Sequence, residues 1–575
     1  MKSRFKWIIE KPIYVLLAAN IIIGLFIFRD YGLSWDEPLF YNYADALGYA
    51  YSPAEWFSGH FDLSNSYGIS GDDHKTRGPA YLFLAREPVY LLEAFGLDSA
   101  SAWHLVNFLF FQLGVYFLYR LSRRWIRTDA ALTASTFFSW QPLLWGHAFI
   151  NPKDPSFLVF FLGSVCLGFE MVDSITRADV SGGDRKKLNQ HIILAAFFLG
   201  ITTSIRVLGP LAGLLVFAYF VIRVLQEKNL RVSMSPWFML VAYGLIAAIS
   251  MFLTWPYLWE NPFARFFEVL KLMSDNPTTL SVLFGGEVYR AGELPRRYLP
   301  FMLATTLTEP IWPLFVFGVA FGYLKLLTQN VKAVINYVEM NSVEAETQDV
   351  DRPQGVKQFQ PERVQVLPFP NRTMKIVQLS SLTLVLLWFV LLLAYVLIRR
   401  PSMYDGLRHF LFVLPPIFIF TGFTLEYLFR IIAPFWLRAV LALVLVLPGL
   451  IGIFILHPYE YAYYNSFVGG TSKAFRNYET DYWLTCYKES VEQLEEGIDG
   501  TFDLYVHREA YIAEYYAAPN TRVHELRGAV SDVESGDYVL VNTRTKEDRR
   551  VFKDAPSILQ IGRGDAVFCI IKEIQ

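Results

Sequence analysis

Two neighbouring carboxylates, Asp36 and Glu37, lie just beyond the first strongly apolar stretch of this 575-residue chain. That stretch, residues 11–28, has about the length that a helix needs to cross a bilayer. Carboxylates held at a membrane surface are costly to desolvate, so they usually bind, ionise or catalyse something. A carboxylate here could take a proton from a hydroxyl group, although an acidic pair at a helix end can also be merely solvated.

Further charged residues fall near the ends of apolar stretches and are predicted to share one side of the membrane: Lys75, Arg77, Lys153, Asp154, Arg408 and His409. Lysine and arginine near the interface can hold the phosphate of a lipid headgroup. Asp36 and Asp154 could instead clamp a divalent cation through oxygen ligands. Structural alternatives exist: Lys153 and Asp154 could form a simple loop pair, and Lys75 and Arg77 could contact any anionic lipid.

The composition indicates a polytopic membrane protein. The chain is 54% hydrophobic and 18% charged, against about 25% charged residues in ordinary globular proteins. Its formal net charge of −2 argues against nucleic acid as a partner. Hydropathy predicts about eleven spans. They cover residues 11–28, 101–121, 129–148, 155–173, 191–207, 209–225, 236–256, 301–326, 376–398, 408–430 and 435–457.

Basic residues orient these spans. They precede the first span and follow the second, fourth and sixth: Lys2, Arg4, Lys6, Arg120, Arg123, Arg124, Arg127, Lys186, Lys187, Lys228 and Arg231. All fall on one side if the spans alternate, which is the positive-inside pattern. An odd number of spans then places the N-terminus in the cytoplasm and the C-terminal region outside. The run after Met1–Trp7 is long and lacks a small-residue cleavage site, so it is expected to anchor the chain.

The membrane region is predicted to extend over residues 1–457. Its first external loop, 29–100, contains aromatic-rich stretches at 39–57 and 79–96 that are typical of amphipathic helices lying on the membrane face. The second large external segment, 257–300, is expected to be a mobile loop that covers the substrate. The polar, proline-containing stretch 327–375 is expected to be a cytoplasmic linker.

Residues 458–575 lose the long apolar runs and are predicted to form a small external α/β domain. Strands are expected at Thr501–His507, Tyr538–Asn542 and Ala566–Ile571, and a helix at Asp481–Glu496. Cys486 and Cys569 could pair if this domain lies in an oxidising compartment, whereas Cys166 falls within a span and is expected to be a packed thiol.

Four segments resemble the GT-C superfamily of polyprenyl-phosphate-dependent glycosyltransferases, most nearly the branch of the protein O-mannosyltransferases and the lipid A aminoarabinose transferase. They are Trp35-Asp36-Glu37, Asn151-Pro152-Lys153-Asp154, Tyr404-Asp405-Gly406-Leu407-Arg408-His409, and His457-Pro458-Tyr459-Glu460-Tyr461 followed by Tyr463-Tyr464-Asn465. The resemblance covers most of the membrane region and implies a GT-C-like fold. Residues 71–79 depart from the usual proline-rich pattern, so neither relative's substrate is transferred.

The resemblance implies an integral membrane enzyme that moves a monosaccharide from a polyprenyl-phosphate carrier to an acceptor hydroxyl on the non-cytoplasmic side. Asp36 takes the place of the family's general base, with Glu37 as its helper or substitute. The carrier phosphate would be held by basic residues drawn from Lys75, Arg77, Lys153, Arg408 and His409. Asp154 matches a second acid that binds a divalent cation in some relatives, so Mg²⁺ or Mn²⁺ bound by Asp36 and Asp154 stays open.

One direct displacement would invert the anomeric configuration of the sugar. The acceptor could be a glycan, a glycolipid or a protein, and membrane lipids surround the enzyme. The lack of extended loops typical of endoplasmic-reticulum enzymes favours a bacterial inner membrane. A transporter or flippase for a lipid-linked or anionic substrate is the alternative, although transporters tend to show paired halves and polar residues near the bilayer midplane. A scaffold that displays the C-terminal domain is the third option.

Overall fold

Long apolar helices make up most of the molecule. The computed structural model describes residues 11–177, 182–226, 235–275, 278–328 and 370–575. Seven helices are long and apolar enough to cross a membrane: Ser99–Ser122, Asp154–Thr176, Arg185–Ile205, Ser235–Leu253, Ile311–Thr328, Gln378–Arg399 and Phe435–Leu456. Two shorter apolar helices are Ile13–Ile27 and Pro210–Gln226. The chain is an integral membrane protein of mainly helical fold, as expected, but the number of eleven unbroken spans is not confirmed.

The predicted span at 129–148 is wrong because it consists of two helices, Thr128–Ser139 and Pro142–Ile150. Pro142 has no backbone N–H and disfavours a helical conformation at the residue before it, so the helix stops at Trp140 and Gln141. Trp140 donates its indole N–H to Asn20 Oδ1 at 2.9 Å. The break is therefore filled by polar partners from the first apolar helix.

A second predicted span, 301–326, is broken in the same way into Tyr298–Thr306 and Ile311–Thr328. The two breaks contact each other, since Gln141 accepts a hydrogen bond from the Thr308 backbone N–H at 3.0 Å and donates to its hydroxyl at 2.9 Å. The single amide thus satisfies groups that both helix ends leave unpaired.

The remaining long helices keep close to their expected bounds, with one exception. The predicted span 408–430 begins with a 3₁₀ segment, Arg408–Val413, and continues as the helix Pro415–Ile431. The full bounds of two others are Asp154–Arg177 and Gly182–Ile205. The helix Pro370–Arg399 contains the end of the predicted linker, whose residues 329–369 lie outside the described part of the chain. Lys2, Arg4, Lys6, Lys228 and Arg231, which were used to orient the spans, also lie outside the described part of the chain.

The first external loop forms helices over both stretches where they were predicted. The main ones are Glu37–Ala50 and Ala80–Ala94, with short turns of helix at Pro53–Trp56 and Gly71–His74. Large apolar side chains such as Phe57 point outward from this loop, with 86% of the residue surface exposed. Such a surface suits contact with the apolar edge of a membrane.

The segment 257–300, expected to be a mobile covering loop, contains regular secondary structure where it is described. The segment contains the helix Pro262–Asp275 and a hairpin of strands β1 (Ser281–Phe284) and β2 (Glu287–Arg290). Phe284 is buried and forms a β-bridge with Tyr478. The hairpin is therefore packed against the beginning of the external domain, and a Gly285-Gly286 turn with positive φ closes it.

The C-terminal residues form the expected α/β domain. Its sheet contains β3 (Phe502–Val506), β4 (Thr521–Glu525), β5 (Tyr538–Asn542), β6 (Ser557–Arg563) and β7 (Ala566–Glu573), in the order β4-β3-β5-β7-β6. Strands β3, β4 and β5 are parallel, whereas β7 runs antiparallel to β5 and β6. The helices Cys486–Glu496 and Ala510–Tyr516 pack beside it. The three predicted strands are confirmed, and β4 and β6 were missed.

A disulfide between Cys486 and Cys569, with a Cα–Cα distance of 5.9 Å, lies within this domain. Other contacts fix the domain on the membrane region. Three tyrosines of the short helix Ala510–Tyr516 bond to the backbone of the membrane region: Tyr511 donates to Trp35 O at 2.7 Å, while Tyr515 accepts from Ala100 N at 3.1 Å and Tyr516 from Leu33 N at 2.9 Å. Gly32 lies against the Thr485 carbonyl so closely that a side chain there would collide with it.

Candidate active site

Asp36 lies at the start of the helix Glu37–Ala50, at the end of the bundle that faces the external domain. Its Oδ2 accepts a hydrogen bond from Arg408 Nη1 at 2.8 Å, and 23% of the side chain is exposed. Burial raises the pKa of Asp36, but the charges of Arg408, Arg77 and Lys153 outweigh burial and hold the pKa below its ordinary value. The carboxylate is therefore ionised at neutral pH and still reachable, as a general base requires.

Arg408 has the partners that a buried guanidinium needs. Besides Asp36 it pairs with Asp405 Oδ2 at 3.0 Å, and its guanidinium carbon lies 4.9 Å from the Tyr404 ring centroid and 5.0 Å from that of Trp483. Aromatic faces and two carboxylates together compensate its desolvation. The 3₁₀ segment that begins at Arg408 thus fixes the guanidinium next to Asp36.

The cluster of paired charges formed by Asp36, Arg408 and Asp405 extends into the external domain. Arg544 follows strand β5 and binds Asp405 Oδ1 with Nη2 at 2.5 Å, while its Nε donates to Glu479 Oε1 at 3.1 Å. Its guanidinium carbon lies 4.6 Å from the Trp35 ring centroid. Burial raises the pKa of Glu479 in spite of the Arg544 charge. The external domain therefore supplies side chains to the same group that contains Asp36.

A second group of cations lies beside Asp36. Arg77 pairs with Asp73, but Lys153 has no hydrogen bond or ion pair for its ammonium among the described residues, only the Phe40 ring with its centroid 5.6 Å away. Burial and the charges of Arg77 and Arg206 lower the pKa of Lys153 well below its ordinary value. An anion bound here would offset this repulsion and keep the ammonium protonated, so the position suits a phosphate group.

Asp154 pairs with Arg206 rather than with Asp36. One carboxylate oxygen contacts the Arg206 guanidinium, and the other accepts from Asn151 Nδ2 at 3.0 Å. The first loop reaches this pair because Gly78 packs directly on the Ser204 carbonyl, where any side chain would collide. The loop that bears Arg77 is thereby held against the helix end that bears Arg206.

The expected clamp of Asp36 and Asp154 on a divalent cation does not fit these surroundings. Each carboxylate is already paired with an arginine, Arg408 for Asp36 and Arg206 for Asp154. Lys153 adds a third positive charge beside Asp36. Hard divalent cations bind where oxygen ligands outnumber positive charges, and here the cations dominate. The only three-residue group of potential ligands among the described residues, Asp481 with Cys486 and Cys569, contains the disulfide.

The catalytic role expected for Glu37 does not fit its position. Its side chain is fully buried, accepts from Ser34 N at 2.7 Å and Tyr41 Oη at 2.6 Å, and lies 3.1 Å from His104 Nε2. Such a carboxylate has no access to a substrate. Glu37 therefore shapes the turn that presents Asp36, since its bond to Ser34 closes that turn.

The structure brings four of the five predicted phosphate ligands together. Arg77, Lys153, Arg408 and His409 lie within electrostatic reach of one another, and burial with these charges lowers the pKa of His409, which is neutral. Lys75 lies apart, in an open groove of about 440 Å³ on the first loop. The groove is also lined by Ser64, Tyr67, Ile69, Ser70, Gly71 and Asp73.

Sequence reasoning missed the contribution of the external domain. Arg544, Glu479, Trp483 and Arg206 were not among the candidate site residues. A signal existed for Arg206, because an arginine beside Gly209-Pro210 in an apolar region needs a partner. For Arg544 the sequence gives no local sign, since its partners lie far away along the chain.

No protein-family model and no curated protein matches the chain. Among solved structures, ArnT from Cupriavidus metallidurans bound to undecaprenyl phosphate is similar at 14% identity with a TM-score of 0.42, covering 98% of each chain. Apo ArnT from the same organism gives 12% and 0.40, covering 99% of this chain and 98% of that chain. The oligosaccharyltransferase AglB from Archaeoglobus fulgidus, in complex with an inhibitory peptide and a dolichol-phosphate, gives 11% and 0.46, covering 95% of this chain and 70% of that chain.

Proposed function

We propose that the protein is a membrane glycosyltransferase of GT-C type that moves a monosaccharide from a polyprenyl-phosphate carrier to an acceptor hydroxyl. The observation that carries this proposal is the placement of an ionised, reachable Asp36 beside Lys153, a half-buried side chain whose ammonium has no carboxylate partner among the described residues. A base and an anion site next to each other at one end of an apolar bundle are the two parts that displacement of a lipid phosphate requires.

The chemistry is one displacement at the anomeric carbon. The acceptor hydroxyl gives its proton to Asp36, and its oxygen forms the new bond to the anomeric carbon. The bond from that carbon to the phosphate oxygen breaks at the same time, and the carrier phosphate leaves with the electron pair. Lys153, Arg77 and Arg206 stabilise the charge that builds up on the phosphate. A single displacement inverts the anomeric configuration.

The low pKa of Asp36 decides the timing of proton transfer. The carboxylate is ionised but is a weak base, so it cannot deprotonate a free hydroxyl in advance. It accepts the proton as the new carbon–oxygen bond forms, when the hydroxyl becomes strongly acidic. Arg408 orients the carboxylate during this step through the 2.8 Å hydrogen bond.

The test is transfer from a polyprenyl-phosphate sugar by purified protein carrying Asp36→Asn. Loss of general base catalysis should lower the rate about 100- to 10,000-fold while donor binding is kept. Asp45→Asn is the matched control, because Asp45 is an exposed carboxylate of the same helix. Full activity in Asp36→Asn, or a product of retained configuration, would overturn the proposal.

The site is proposed to face the non-cytoplasmic side of a bacterial inner membrane. The disulfide Cys486–Cys569 suits an oxidising compartment, and the arginines at the other bundle end suit the positive-inside pattern. A membrane-impermeant maleimide on intact spheroplasts should label Asp499→Cys in the external domain but not Arg430→Cys at the opposite end. The reverse labelling pattern would place the site in the cytoplasm.

A further inference from the structure

A buried chain of alternating charges runs from the first loop into the external domain. It contains Asp36, Arg408, Asp405, Arg544 and Glu479, joined by contacts of 2.8, 3.0, 2.5 and 3.1 Å in that order. Asp405 and Glu479 are 0% and 3% exposed. Each guanidinium bridges two carboxylates, so a change at one end alters the balance of attraction at the next link.

Arg544 is held on every side by its own domain and by the membrane region. Its backbone N–H donates to Asn542 Oδ1 at 2.7 Å, and its Nη1 donates to the Tyr482 carbonyl at 3.1 Å. Its guanidinium covers the ring of Trp35, the residue before Asp36. Only 3% of the side chain is exposed. A guanidinium so fixed has one orientation available, and that orientation is set by the external domain.

Arg544, the second arginine bound to Asp405, affects how strongly Asp405 attracts Arg408. Asp405 is buried and receives Arg544, Arg408 and the Trp483 indole N–H at 3.2 Å. With Arg544 bound, part of the Asp405 charge is neutralised, so Arg408 can direct Nη1 to Asp36. Without Arg544, the uncompensated Asp405 would attract Arg408 more strongly and draw it from Asp36.

We infer that Arg544 is a positioning residue for Asp36, so that the catalytic site is complete only when the external domain is docked. The inference rests on the proposed function, and it assigns a part in catalysis to a domain that lies outside the membrane region. Arg544 acts through Asp405 and Arg408 and need not touch the substrate.

The experiment compares Arg544→Met and Arg544→Lys with Arg508→Met as control. Arg508 follows the neighbouring strand β3 in the same domain and pairs with Glu547 at 3.5 Å rather than with Asp405. Arg544→Met should lower kcat about 100-fold, as expected for a misplaced reacting group, with the donor KM unchanged. Arg544→Lys should recover part of this loss, and Arg508→Met should keep near-normal kcat.

A pH profile separates positioning from a merely structural role. The groups that face Asp36 are Arg408, Arg77, Lys153, Arg206, His74 and Tyr511. None of them is changed in Arg544→Met. The acid limb of kcat should nevertheless move to higher pH, because a weaker Arg408 contact stabilises the ionised carboxylate less. An unchanged profile, with activity reduced only in proportion to the folded fraction, would overturn the inference.

A readout without turnover distinguishes failure of this inference from failure of the proposed function. Carbodiimide modifies protonated carboxyl groups, and mass spectrometry of the Asp36 peptide gives the pH midpoint of labelling. Arg544→Met should raise this midpoint, and Arg508→Met should raise it much less. If wild-type protein shows no transfer but the midpoint shifts, the positioning role stands and the reaction is wrong. If transfer occurs and the midpoint does not shift, the positioning role is wrong.

Discussion

Charged side chains are buried at both ends of the helix bundle, and the two ends use them differently. We call the end with Asp36 the site end and the end with Glu170 and Asp173 the opposite end. Asp154 and Asp173 lie on the same helix, nineteen residues apart, so the two ends are separated by about 28 Å. At the opposite end, Arg120 pairs with Glu170 at 2.5 Å and Arg124 with Asp173 at 3.0 Å.

Three further basic side chains of the opposite end also have carboxylate partners. Lys325 and Arg430 share Glu426 at 2.6 and 2.7 Å, and Arg438 binds Asp129 at 3.1 Å. These pairs join helices to one another. At the site end, by contrast, the Lys153 ammonium beside Asp36 has no such partner among the described residues. An unpaired, half-buried cation costs folding free energy, which points to a ligand that compensates it.

The difference between the two ends should appear most strongly in a pair of lysine variants. Lys325→Met leaves the nearly buried Glu426 without its main partner and should cost about 3–5 kcal/mol of unfolding free energy. Lys153→Met removes an unpaired charge and should leave stability unchanged or higher, but weaken donor binding about tenfold to a hundredfold. Denaturant unfolding in detergent and donor titration measure the two effects. Equal destabilisation by both variants would remove the distinction between the ends.

The external domain at the site end contains a disulfide, whereas Cys166 of the helix Asp154–Arg177 is free. Replacing Cys486 and Cys569 together by serine should lower the stability of the external domain by about 2–4 kcal/mol, because the closed loop is long. Thermal unfolding with and without reductant measures this, and reductant should have no further effect on the double variant. Cys166→Ser in a membrane helix is the control for thiol loss. Equal sensitivity of all forms to reductant would contradict the prediction.

The charge balance at the site end should set the pH dependence of activity. In the wild type the pKa of Asp36 is below its ordinary value, so activity is kept as the pH falls until that lowered pKa is reached. Arg408→Lys cannot bind Asp36 and Asp405 together as a guanidinium does, so the pKa of Asp36 should rise and the acid limb should move up by about one pH unit. A pH–rate profile measures the shift. Movement to lower pH would contradict the role given to Arg408.

The smallest effect is expected for an exposed member of an ion pair at the opposite end. Arg430 is 51% exposed, and Glu426 keeps Lys325 when Arg430 is replaced by alanine. The variant should lose no more than about 1 kcal/mol of unfolding free energy and no activity. Chemical denaturation and the transfer assay test this. A loss as large as that of Lys325→Met would mean that the pairs at this end act as one network.

Features set by local pattern could be predicted from the sequence. Long apolar runs correctly predicted most of the apolar helices, and the change of composition after residue 457 correctly predicted the α/β domain. The broken helices at 140–141 and 307–310 were missed although Pro142 and Pro310 mark them, because hydropathy averages over a break that side chains from elsewhere satisfy.

The candidate site could be predicted only in part. Asp36, Arg77, Lys153 and Arg408 were named because charge near an apolar span is rare. Asp36 and Glu37 could not be distinguished, since the burial of Glu37 depends on its contact with His104 of another helix as well as on Tyr41 of its own. Arg544 resembles an ordinary surface residue in sequence, and only the docking of the domain buries it.

The three tyrosine bonds between the helix Ala510–Tyr516 and the membrane region have a consequence for biogenesis. The Tyr511 hydroxyl meets the carbonyl of a residue made 476 positions earlier. The turn before Asp36 therefore cannot gain this hydrogen bond until Tyr511 has been synthesised. A premature stop codon before Tyr511 would remove all three of these bonds to the membrane region.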